Sequence, residues 1–242
     1  MDIKEVKKLE KSEIKSALSY TKTFIIFGII IGLLAIFFFT LGCQLKKDTI
    51  VNGLGNAYIN AAQAEADYLM ASHKANNDSL LTLGVLFKAA ATMEQVHMKN
   101  LKNFYANYTG NVNGLAEFDT LKNIKRYNDG MSVVFLLDST NHALAYFMGK
   151  QSYFVNSLFE SLATEAETEK DIPLAKMYIW YMGSESSAYR LFNDAYQNFN
   201  QAYLFSDKYD VCPKCGSIYI YGDNIQYCTV CGEDAKKFIL VQ

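Results

Sequence analysis

From Thr23 to Leu45 the chain carries no charged side chain, and "FIIFGIIIGLLAIFFFTLG" (24–42) is almost wholly apolar. About 20 such residues span the hydrocarbon core of a bilayer as a helix, so the pattern predicts a transmembrane helix over 23–43. A secretory signal would have a shorter apolar region behind a shorter N-terminal region. The "TLGC" run (40–43) would suit lipidation of Cys43, but Thr40 is atypical there, and a retained anchor is the better reading. Beyond it, from Ile50 to about Phe205, apolar residues recur at three- and four-residue spacing, the signature of amphipathic helices.

The first of these helices is predicted over about 50–75. Asn77, Asp78 and Ser79 supply a turn with N-cap types, and a second helix runs to about Tyr108, ended by "TGNVNG". A long connection, 110–137, leads to a third helix capped by Asp138 or Ser139 and running to about Thr168. Asp171 and Pro173 open a fourth, proline being tolerated in a first turn. Two short loops separated by one long connection describe a mainly α, ferritin-like four-helix bundle with a single crossover.

Composition refines this picture. With only two prolines, Pro173 and Pro213, long helices go uninterrupted, and a net charge of −2 without an extended basic run argues against a nucleic-acid surface. Lys7, Lys8, Lys11, Lys15 and Lys22 precede the apolar segment, while Lys46 and Lys47 follow it closely. The positive-inside bias then leaves 1–22 in the cytoplasm and the rest of a single-pass membrane protein outside.

The chemistry concentrates in two places. "CPKCGSIYIYGDNIQYCTVCG" sets Cys212 and Cys215 against Cys228 and Cys231. Two Cys-x-x-Cys turns deliver four thiolates to one point, a tetrahedral site for one zinc or iron ion. Pairing into disulfides is the competing use in an oxidising compartment. The second place is "MEQVHMKN" (93–100), where Glu94 and His97 stand three apart on the second helix. Such a Glu-x-x-His pair is half of what a four-helix bundle needs to hold two metal ions.

A helical body with Glu-x-x-His on its second helix, followed by this pair of cysteine turns, resembles rubrerythrin over about 50–240. The cytoplasmic segment (1–22) and the anchor (23–43) are additions to it; the resemblance itself implies a ferritin-like bundle (48–208) and a small rubredoxin-like or zinc-ribbon β domain (209–242). It implies a dimeric peroxide reductase in which a four-cysteine iron feeds electrons to a di-iron bundle. Checked one by one, the family's ligand positions are mostly lost. Glu94 and His97 match. Asn60 stands where the first helix should carry a glutamate, with Glu65 about 140° away around the helix. Lys150 and Tyr153 replace the two glutamates of the third helix. Counting from Pro173 puts Ser186 and Tyr189 at the second Glu-x-x-His; counting from Glu185 puts Ala188 at the histidine.

These losses argue against a di-iron centre. Lys150 is expected beside Glu94 in place of a cation, and Tyr189 beside His97, while His73 and His142 are expected in solvent. The resulting expectation is a membrane-anchored structural, interaction or self-assembling module with one metal ion on four cysteines. Its partners would be the lipid bilayer, through one transmembrane helix, and further copies of itself, through aromatic helix faces such as 189–205. The alternative is a rubrerythrin-type oxidoreductase, reducing peroxide or transferring electrons through the cysteine-bound iron.

Overall fold

The computed structural model describes residues 3–111, 113–115 and 139–242, with side chains at 3–28, 35, 39–47 and 202–204 left out of that description. Two compact units result, Met1–Asp48 and Thr49–Gln242. The first is helical from Ile3 and forms the leading part of α1 (Ile3–Asn77). Its described apolar side chains, Ile29–Leu34 and Ile36–Phe38 apart from Gly32, are exposed. Among the described residues no helix is long and apolar enough to cross a membrane. The expected span over 23–43 falls largely on side chains outside the described set, and the long connection lies outside it from residue 116 to 138.

In the second unit, the rest of α1 packs with α2 (Leu81–Thr109), α3 (Thr140–Tyr153), α4 (Phe159–Thr168) and α5 (Ile172–Gln197). A π-helical turn, Phe154–Leu158, joins α3 to α4, so the third long helix of the bundle carries a bulge at its middle. The boundaries follow local chemistry. The Ser139 side chain accepts from His142 N, and Asp171 accepts from Leu174 N ahead of Pro173 in the first turn; each satisfies an N–H that the helix leaves unpaired. Gly110, at φ +72°, ends α2 in the left-handed conformation. The expected cap of α2 is different. Leu80 occupies the cap position without a side-chain bond, because Asp78 is engaged elsewhere, accepting from Thr140 Oγ1 at 2.6 Å.

Each core face follows a three–four alternation. On α5 it runs through Leu174, Tyr178, Tyr181, Glu185, Ala188, Phe192 and Ala195, all buried. One aromatic from each of four helices meets in the centre: Tyr68, Phe87, Phe147 and Phe192, with Tyr68 and Phe147 rings 4.4 Å apart and Phe87 5.7 Å from Phe192. Truncating such a ring to alanine costs about 3–5 kcal/mol. Buried alanines (Ala57, Ala61, Ala64, Ala89, Ala90 and others) let α1 and α2 approach closely.

The C-terminal ribbon is a three-stranded antiparallel sheet of order β2-β1-β3, with β1 Tyr209–Val211, β2 Ile218–Ile220 and β3 Ile239–Val241. It docks on α2 and α5 and clusters with the bundle as one unit. Asn100 Nδ2 donates to Lys214 O at 2.8 Å, Lys88 Nζ to Gln242 O at 2.9 Å, and Ile218 N to Ser187 Oγ at 3.1 Å. These bonds lay the first cysteine turn against the middle of the bundle.

Candidate metal centres

The four cysteines converge. Their sulfurs all lie within 4.8 Å of one another, with Cys212 Sγ 3.5 Å from Cys231 Sγ and Cys215 Sγ 3.4 Å from Cys228 Sγ. A tetrahedral ion about 2.3 Å from each sulfur needs sulfurs about 3.8 Å apart, so small outward shifts make the set fit one zinc or iron ion. Each turn closes alike: Gly216 N donates to Cys212 O and Gly232 N to Cys228 O, both at 2.9 Å, with both glycines at positive φ. Without a metal the thiols share protons unevenly. Contacts from Cys212 and Cys215, helped by the Tyr219 hydroxyl, drive the Cys228 thiol strongly down. For Cys212 the Cys215 thiol favours the thiolate, but the Cys228 contact and burial outweigh it and push the group up to about 12. Contacts with Cys212 and Cys228, then burial, push Cys215 up further still. Metal binding here therefore expels protons.

The second site lies in the bundle, where Glu94, His97 and Glu185 are wholly buried with ligand atoms within 4.8 Å of one another. His97 Nδ1 is 3.1 Å from Glu94 Oε2 and 3.5 Å from Glu185 Oε1. On its other edge, Nε2 lies 3.0 Å from Cys215 O and 2.8 Å from Ser184 Oγ. The Ser184 hydroxyl donates to Tyr181 O at 2.9 Å, so it offers His97 a lone pair. Both partners of Nε2 are thus acceptors, and Nε2 carries the hydrogen. In the neutral ring Nδ1 then turns a bare lone pair toward two carboxylates. Burial, and then the Glu94 charge, raise the Glu185 pKa well above the usual carboxylate range, with Lys150 and the Gln151 amide pulling the other way.

Several expected neighbours sit elsewhere. Lys150 Nζ lies 3.0 Å from Asp67 Oδ2 rather than on Glu94, whose Oε2 faces His97 Nδ1. The α3 residue that faces the centre is Gln151, buried and bonded through its amide to Tyr68 OH. Asn60 bonds back to Asn56 O on its own helix. Tyr153 is half exposed, Tyr189 is exposed, and the Ser186 hydroxyl donates to Met182 O. On α5 the core phase presents Glu185 and Ala188 instead of Ser186 and Tyr189. His73 and His142 are exposed. Ser184, Asp67 and Gln151 were not anticipated; the helical phase that buries Tyr181, Glu185 and Ala188 was the available signal for α5.

The donors present do not fit a bridged pair of metal ions. Ala188 offers no ligand where a second histidine is needed, and α3 presents an amide and an ammonium where carboxylates are needed.

No family model matches the chain. It is 23% identical over 198 residues to rubrerythrin-2 of Clostridium acetobutylicum, covering 81% of this chain and 98% of that protein. Among solved structures, partially reduced nigerythrin superposes with a TM-score of 0.64 at 18% identity, covering 79% of this chain and 86% of the other. The fully reduced, all-ferrous state of nigerythrin superposes with a TM-score of 0.62 at 17% identity and the same coverage. With its helical bundle, its docked ribbon and its four converging cysteines, the chain has a rubrerythrin-like, ferritin-like bundle fold carrying a C-terminal four-cysteine cluster.

Proposed function

We propose that this protein is a membrane-anchored, rubrerythrin-like electron-transfer protein that holds one iron ion on Cys212, Cys215, Cys228 and Cys231 and has no di-iron peroxidase chemistry in its bundle. The observation that carries the reading is the 3.0 Å contact between His97 Nε2 and Cys215 O. One ligand of the ribbon site is thereby joined, through its own carbonyl, to the buried centre of the bundle. Nigerythrin, of the same fold, has been solved partially reduced, mixed-valent and all-ferrous, which supports iron and a redox role here. Iron on four thiolates supplies a one-electron couple. The chain's own residues do the rest. Burial of Cys212 and Cys215 keeps water away, Tyr219 donates toward Cys228 Sγ, and His97 ties the site to the helices.

The anchor in this reading rests on the uncharged stretch over 23–43, with the lysines before it holding 1–22 in the cytoplasm. Association of copies through the tyrosine-rich face, where Tyr189 and Tyr196 are exposed, belongs to the same reading.

Metal analysis and a reductive titration of the full chain in detergent test it. Iron held by the four cysteines, a red colour from those thiolates that bleaches on reduction, and one reversible one-electron wave from that site are expected. Zinc alone in those cysteines would instead favour the structural module. Protease treatment of intact cells tests the anchor: digestion of the ribbon from outside is expected, and its protection would reverse the orientation.

A further inference from the structure

We infer that the bundle binds a single divalent cation through Glu94 Oε2, His97 Nδ1 and Glu185, with the Lys150–Asp67 pair standing where a second ion would need its ligands.

Three observations carry this. The first is unmet polarity: Glu94 Oε1 and both oxygens of Glu185 are buried without a hydrogen-bond partner at ordinary distance and angle. A buried acceptor left bare is costly, and more so when charged, so three in one spot call for a positive occupant. The second is the direction of the histidine. Its Nε2 hydrogen is held by Cys215 O and Ser184 Oγ, which aims the Nδ1 lone pair at the same spot. The third is spacing. Ligands about 2.1 Å from an ion stand about 3.0 Å apart in an octahedral site and about 3.4 Å apart in a tetrahedral one. The observed 3.1 Å and 3.5 Å from Nδ1 to the two carboxylates fall beside those values.

Charge then sets the number of ions. Fully ionised, Glu94, Glu185 and Asp67 stand against the Lys150 ammonium, leaving two negative charges unbalanced in a buried region. One divalent ion neutralises them, whereas a second would overload a site whose α3 side offers only an amide and an ammonium. One imidazole and two carboxylates suit iron(II), manganese(II) or zinc(II), with water completing the shell. The inference does not depend on which metal the cysteines hold.

Cobalt(II) titration of the metal-free full chain in detergent separates the two sites, since thiolate-bound cobalt gives intense charge-transfer bands and oxygen–nitrogen-bound cobalt gives weak ones. Two cobalt ions per chain are expected, the thiolate bands saturating with one of them. Glu185→Gln and Glu94→Gln should each abolish the weakly absorbing equivalent and leave the thiolate bands intact, which also reports that the chain is folded. Should either variant misfold, the stoichiometry of the unaltered chain decides. Its saturation at one thiolate-bound ion would overturn the inference in favour of a proton-filled site, and a third bound ion would overturn it in favour of a metal pair. Absent thiolate bands with one weakly absorbing ion would sink the ribbon reading while sustaining this one.

Discussion

Lys150 Nζ lies 3.0 Å from Asp67 Oδ2, joining α3 to α1, with the carboxylate 1% and the lysine side chain 12% exposed. Removing the lysine takes away the opposite charge of this pair while the Gln63 amide still reaches Asp67 at 3.3 Å, so the loss lies at or below about 3–5 kcal/mol, the cost typical of a broken buried pair. Lys150→Met is therefore expected to lower the free energy of unfolding by up to that much. The double substitution Asp67→Asn with Lys150→Met removes both charges and should recover most of the loss. Urea denaturation of the four corners of this cycle checks it, and a double variant as unstable as the single would show that packing, not charge, is at stake.

This pair also shows what the sequence made legible. Helix order, a cap at Asp138 or Ser139, the Asp171 cap and the cysteine turns are all readable, because each depends on residues close in the chain. The facing of Glu94 and His97 was readable for the same reason. The partners on the other helices depend on helical phase, where one residue is 100°. Counting from motif landmarks points to Lys150 on α3 and leaves Ser186 and Glu185 both open on α5; the three–four alternation of buried positions selects Gln151, one residue on, and Glu185. Lys150 still reaches the interior because its long chain runs from the edge of that face to Asp67. No local pattern announces such a reach.

The two glycines that close the cysteine turns look equivalent in sequence and differ in surroundings. A Cβ on Gly216 would stand 2.9 Å from His97 Nε2 and 2.9 Å from Met93 Cγ, whereas one on Gly232 meets nothing within 4 Å. Both sit at left-handed φ, +88° and +74°, where a side chain costs roughly 1–2 kcal/mol. Gly232→Ala is expected to pay that strain alone. Gly216→Ala adds overpacking of roughly 1–3 kcal/mol and should part the ribbon from α2. Thermal melts give the first difference. Hydrogen exchange over 209–242 gives the second, with faster exchange expected for Gly216→Ala than for Gly232→Ala.

Acid sensitivity should have an identifiable contributor in Asp78. The Thr140 hydroxyl, 2.6 Å away, is the largest influence lowering its pKa; slight burial opposes, and Lys74 at 3.4 Å assists. The folded state then binds fewer protons than the unfolded one, so this stability is fully present above the ordinary carboxylate range. It is lost as pH falls through the lowered folded value. Thr140→Val keeps the shape and removes the donor. Because Asp78 is more than a third exposed, the expected cost near neutrality is only on the order of 1 kcal/mol. Denaturation at pH 6 and pH 3 should show the difference between variant and parent shrinking in acid; a constant difference would assign the loss to packing.

Tyr219 offers a test of the ribbon as a redox site that leaves its ligands untouched. Its hydroxyl donates toward Cys228 Sγ at 3.3 Å and accepts from Thr229 N at 3.0 Å, while its ring stacks on Phe238 at 5.3 Å. A hydrogen bond to a ligating sulfur withdraws charge from it and favours the reduced, more negative state of the centre. Tyr219→Phe keeps the stacking and deletes the donor, so the iron-loaded variant should have a lower reduction potential than the parent. A bond favouring one oxidation state by about 1 kcal/mol corresponds to about 40 mV for one electron. Potentiometric titration of the pair measures the shift directly. An unchanged potential would mean that the hydroxyl serves only to hold Thr229 N and the second cysteine turn. A rise would mean that loss of the ring's polar tip opens the sulfur to water, which donates in its place.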